Sequence, residues 1–227
     1  MTIVSAVAAT KINSNKRSSP CNGFQTESPK RPHNNLASLL LTEEKSQDLS
    51  SDVIPCKLHF VEDIADQLES VTCLNNIFFK LDAQDDVLRK FRAAALPAFP
   101  LRVYLSRLVS HLDRWKSEES ETTASDLGVR SLVVALVYVD RIHRIHPKSR
   151  ICSWNVHRLL LVGMLLCTKI TEDRPISNDF WAKVGGVSLQ ELNSLEMKMC
   201  RLLGYRLHVS SDIYENCIEK INHSFFP

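Results

Sequence analysis

The chain has 227 residues, 44% of them hydrophobic, enough for one sizeable domain with length left for a tail. A net charge of +2 and a pI near 8.2 give no footing for nucleic acid as the main partner. No stretch approaches the roughly 18 apolar residues of a membrane span. The seven cysteines form no CxxC pair, so they read as reduced thiols in a reducing compartment, nucleus or cytoplasm.

Residues 1–52 are rich in Ser, Asn, Lys and Pro and lack apolar periodicity, which predicts a disordered tail with a short helix around 36–41. No basic residue precedes its apolar start, against a secretory signal; its lack of acids before Glu27 leaves a transit peptide as the alternative. Lys16-Arg17 and Lys30-Arg31 resemble a weak bipartite nuclear-localisation signal, with a solvated basic tail as the plain reading. Ser28, in Ser28-Pro29-Lys30-Arg31, fits the pattern of a proline-directed phosphorylation site. An ordered domain is expected over 53–227, with its core at about 90–210.

The spacing of Phe60, Ile64, Leu68, Val71 and Leu74 predicts a first helix over about 57–80. Pro97 and Pro100 break the chain before a second helix over 101–116, with Leu101, Leu105, Leu108 and Leu112 as its buried stripe. The polar, acidic run 117–125 predicts a surface loop. A third helix over 126–145 is almost continuously apolar from Leu132 to Val139 and stops at Pro147. Ser153 suits the N-cap of a fourth, at 154–170, and Ser177 that of a short helix reaching Lys183 and closed by Gly185-Gly186. Ser188-Leu189-Gln190-Glu191 reads as a reciprocal capping box for a helix ending at Gly204, and a closing helix is expected over 211–222. The pattern is all-α, with the helices at 126–145 and 154–170 central because they are apolar on most sides.

Two charges stand out against it. Glu196 shares one helical arc with Leu189, Leu192, Leu195, Met199, Leu202 and Leu203, where a lone carboxylate is costly to bury. Lys169 ends the apolar run from Leu159 and is the candidate companion. The plain readings are a cation favouring its helix C-terminus and an internal bridge from Glu196 to Lys169 or Arg201. No GxSxG, Walker loop, HExxH or paired-carboxylate pattern is present, so no enzyme is expected. His143, His146, Cys152 and His157 cluster in sequence but meet no standard zinc spacing, so neither metal nor cofactor is expected. Phe180-Trp181 reads as core.

Four blocks, Tyr138-Val139-Asp140-Arg141, Asn155 to Leu160, Ala182 to Val187 and Leu192 to Glu196, resemble the cyclin box of the P/U-type cyclins, which include the fungal phosphate-response cyclin. They occur in family order and spacing, over about 90–215. The resemblance implies a five-helix cyclin box with an additional N-terminal helix and a short C-terminal helix. It further implies a regulatory subunit that binds and activates a cyclin-dependent serine/threonine kinase as a heterodimer, in cell-cycle or nutrient (phosphate) signalling, with substrate or inhibitor proteins as further partners. Lys169 and Glu196 match the family's pair that grips the kinase helix. Leu166, Ile170, Cys200 and Leu207 match its apolar seat, and Arg102 and Asp140 its structural ion pair. Leu101, Tyr104, Leu105 and Leu108 lie where some cyclins dock substrate peptides, with core packing as the plain reading. The alternative is a cyclin-fold transcription scaffold binding DNA or polymerase, a class that usually carries two boxes and a more basic face.

Overall fold

The computed structural model describes residues 53–77, 87–120 and 126–223; the tail at 1–52, with Ser28 and both basic pairs, lies outside them. Among the described residues there are seven α-helices and no strand: α1 Val53–Asn76, α2 Leu101–Ser120, α3 Leu127–Ile145, α4 Val156–Thr171, α5 Asn178–Gly185, α6 Leu189–Leu202 and α7 Ser211–His223. None is long and apolar enough to cross a membrane.

The apolar stripes explain the packing. Val61, Ile64, Ala65, Leu68 and Val71 bury one face of α1 against α2, whose own stripe is Leu101, Tyr104, Leu105, Leu108 and Leu112. Core packing therefore accounts for Leu101, Tyr104, Leu105 and Leu108. Helix α1 starts at Val53, earlier than its periodicity suggested, because Pro55 sits in the first turn, where its missing N–H costs nothing. Glu69 of α1 accepts the Leu101 N–H at 2.9 Å, capping α2 from a neighbouring helix.

Residues 131–140 of α3 and 159–168 of α4 are buried without a break, as their all-round hydrophobicity requires. Helix α4 is the hub, touching α2, α3, α5 and α6. Asp113 of α2 accepts the Gly128 N–H at 2.8 Å and so caps α3. At the far end, Arg141 forks onto the carbonyls of Arg206 and His208, both at 2.9 Å, and Tyr138 donates to the Leu207 carbonyl at 2.7 Å. These bonds lay the segment before α7 along α3.

Three local expectations are corrected. Helix α2 runs on to Ser120, so 117–120 are helical and only 121–125 lie outside the described residues; a Lys116–Glu119 pair at 3.0 Å and a bond from Ser117 Oγ to the Asp113 carbonyl support that last turn. Ser153 does not cap α4. It is bound by Asn76 of α1, while buried Asn155 sits at the cap position and holds Cys152 N–H and the Arg150 carbonyl. Ser188 does accept the Glu191 N–H at 3.1 Å, but the Glu191 carboxylate pairs with Arg158 at 2.7 Å instead of reaching back. Ser177 caps α5 as expected. Gly204 adopts φ 58° after α6, where the Tyr205 N–H reaches the Cys200 carbonyl, the six-to-one bond of a Schellman ending.

Candidate functional site

Helix α4 places Leu166, Lys169 and Ile170 at i, i+3 and i+4, hence on one stripe of its final turns. Helix α6 does the same for Asn193, Glu196, Met197 and Cys200. Packing of α4 on α6 brings the two stripes together. Lys169 Nζ donates to Glu196 Oε1 at 2.6 Å, with the two side chains 31% and 16% exposed. The bridge is half-wet, reachable from solvent at the lysine end.

Glu196 has a second partner. Asn178, the first residue of α5, donates from Nδ2 to Glu196 Oε2 at 2.7 Å and to Asn193 Oδ1 at 2.6 Å. Sequence reasoning missed Asn178, because nothing local links it to a residue 18 positions on. It also missed Met197, 48% exposed, although its place four residues after Asn193 puts it on the site's stripe.

The expected apolar seat is only partly open. Ile170 is 46% exposed and Leu207 half-buried, whereas Leu166 and Cys200 are buried in the core. Burial, then the nearby Glu196 charge, pushes the Cys200 thiol up, with Lys169 opposing; it is a packing group, not a thiolate. The apolar surface beside the bridge is therefore Ile170 and Met197.

Below Lys169 lies Glu172, the C-cap of α4, its side chain only 5% exposed. It pairs with Lys116 of α2 at 2.8 Å and with Arg130 of α3 at 2.9 Å. Three helices are tied together one turn from Lys169.

Arg102 and Asp140 are not partners. Arg102 sits at the start of α2 facing α1, where it pairs with Asp66 at 2.6 Å and Glu62 at 3.6 Å. Its pKa is raised, chiefly by the hydrogen bond to Asp66. Asp140, 5% exposed, pairs with Arg144 one turn on, at 2.7 Å. His143 bonds the Ser149 carbonyl and His157 stacks edge-on against Tyr104; no trio of His, Cys, Asp or Glu among the described residues could hold a metal ion. Trp181 is fully buried, as its pairing with Phe180 suggested.

The sequence profile of the cyclin family matches residues 4–207. The chain belongs to the cyclin family. Cyclin-U1-1 of Arabidopsis thaliana is 30% identical over 157 residues, 64% of this chain and 69% of that protein. Cyclin-U2-2 of the same plant is 32% identical over 126 residues, 56% of this chain and 49% of the relative. Cyclin-P1-1 of Oryza sativa subsp. japonica is 41% identical over 83 residues, 37% of this chain and 31% of the relative. The P/U-type resemblance of the four sequence blocks thus holds, and α2–α6 are the five helices of the cyclin box, flanked by α1 and α7. Cyclins are regulatory proteins that partner cyclin-dependent kinases, and in this one the Lys169–Glu196 bridge between α4 and α6 is partly exposed.

Proposed function

We propose that this cyclin binds and activates a cyclin-dependent protein kinase through Lys169 and Glu196. The observation that carries the reading is their meeting, from two helices, at 2.6 Å beside exposed Ile170 and Met197. A partner helix presents free carbonyls at one end and free amides at the other. Lys169 can donate to the first and Glu196 can accept from the second, in charge-assisted bonds at a partly dry surface. Their mutual bridge opens as those bonds form. Pressure on the kinase helix then sets its glutamate against the ATP-orienting lysine, a shift between two kinase states that costs this chain no chemistry.

Resemblance to the fungal phosphate-response group supports a role in nutrient or cell-cycle signalling, and the two basic pairs in the tail support the nucleus or cytoplasm as its place. The combined substitution Lys169→Ala and Glu196→Ala removes contacts of about 1.5–3 kcal/mol each. It should leave a helical, soluble protein by circular dichroism that neither retains nor activates a kinase which the wild-type chain activates. Full activation by the folded double variant would overturn the assignment. Retention of DNA, lost steeply with salt, would instead favour a transcription scaffold.

A further inference from the structure

We infer that Asn178 is a positioning residue of the kinase-contact site, an inference that rests on the reading of Lys169 and Glu196 above. A short polar side chain at a helix start ordinarily bonds its own backbone. Ser177 already does that for α5, accepting the Phe180 N–H, and Asn178 turns both Nδ2 protons to α6. The direction of the amide follows from its partner, since an ionised carboxylate can only accept.

The consequence lies in how Glu196 is held. Its Oε1 is taken by Lys169 and its Oε2 by Asn178. When a partner helix engages Lys169, the first bond is given up and the second stays. Asn178 then fixes the carboxylate with Oε1 presented to the partner, so that less side-chain freedom is lost on binding. Being neutral, the amide orients Glu196 without cancelling the charge that makes its bonds strong. A lysine or arginine in its place would orient the carboxylate and neutralise it.

The test uses a recombinant cyclin-dependent kinase that the wild-type chain binds, with affinity measured by calorimetry at pH 8 and pH 6. Asn178→Ala should weaken binding about tenfold at both pH values, the worth of one hydrogen bond to a charged group. Asn178→Asp sets a second carboxylate against Glu196. It should weaken binding more than tenfold at pH 8 and recover at pH 6, where the two carboxylates share a proton and the donor is restored. Around it, burial keeps the Cys200 thiol protonated, and Asp179 and Lys183 of α5 pair with each other at 2.7 Å; wild-type binding at the same two pH values accounts for every group that the variant leaves unchanged. A role in folding alone would show the same reversal in the folded fraction, so circular dichroism of Asn178→Asp at pH 8 and pH 6 must show an unchanged fold while the affinity shifts. Wild-type affinity in folded Asn178→Ala, or Asn178→Asp binding equally at both pH values, would overturn the inference while leaving the proposed function standing. If Asn178→Ala fails to fold by circular dichroism, the residue is structural and the inference falls. If the Lys169/Glu196 double variant still binds, the proposed function itself falls first.

Discussion

Gly163 of α4 faces Ala135 of α3 so closely that a β-carbon at position 163 would stand 2.7 Å from that of Ala135. The two central helices meet backbone to backbone there, and the glycine is required by space. Gly163→Ala should therefore destabilise the fold by about 1–3 kcal/mol, the usual cost of overpacking a filled core. Adding Ala135→Gly should return part of the loss in a thermal melt, since it clears the opposing methyl. A neutral Gly163→Ala would mean that α3 and α4 part without strain.

Glu172 is expected to carry more of the stability than its single charge suggests. Glu172→Ala strands Arg130 and leaves Lys116 with Glu119 alone, and breaking a buried pair costs about 3–5 kcal/mol. The loss should fall toward the lower end, because the two cations are 30% and 47% exposed and regain water. Urea unfolding should show a lower midpoint with an unchanged slope. An unshifted midpoint would show that α2, α3 and α4 hold together without it.

Stability should also fall as the solution turns mildly acidic. Burial against Tyr104 is the main cause that holds His157 below its ordinary 6.5, with Arg158 adding to it and the Phe99 backbone opposing. A base lowered in the folded state is protonated first in the unfolded one, so its stability contribution is complete above about pH 6.5 and declines below it. His111, lowered by burial and by Arg114, acts with the same sign. The melting temperature should therefore drop between pH 7 and pH 5.5, and His157→Phe should flatten that slope without removing it. An equal slope in the variant would clear His157 of the effect.

The sequence reading found most local signals, though not the cap at Ser153 or the return bond of Glu191, and missed most pairs that meet across the fold. Ser177, Ser188 and Gly204 announced their helix ends because capping is decided within a few residues. The apolar runs in α3 and α4 announced the core. Lys169 and Glu196 could be paired because a carboxylate on an apolar face needs a cation, and one stood at the end of the neighbouring buried helix. Arg102 shows the limit. Family matching sent it to Asp140, yet Asp66 lies across the α1–α2 contact, and only the packing of α1 reveals it. For Asp140 the sequence did hold the answer, since Arg144 is four residues on along the same helix. Asn178 had no such signal, because its bond to Glu196 bridges two helices and the turn between them.

If a partner docks as proposed, taking the Lys169 N–H now given to Glu196, docking at this surface is a substitution and not an addition: one ion contact is surrendered as new ones form. Dissolved salt weakens both sides of that exchange alike, and the net response to ionic strength is shallower than two full charges would give. Discrimination among visitors then rests on where their backbone donors and acceptors lie, and very little on how much charge they carry.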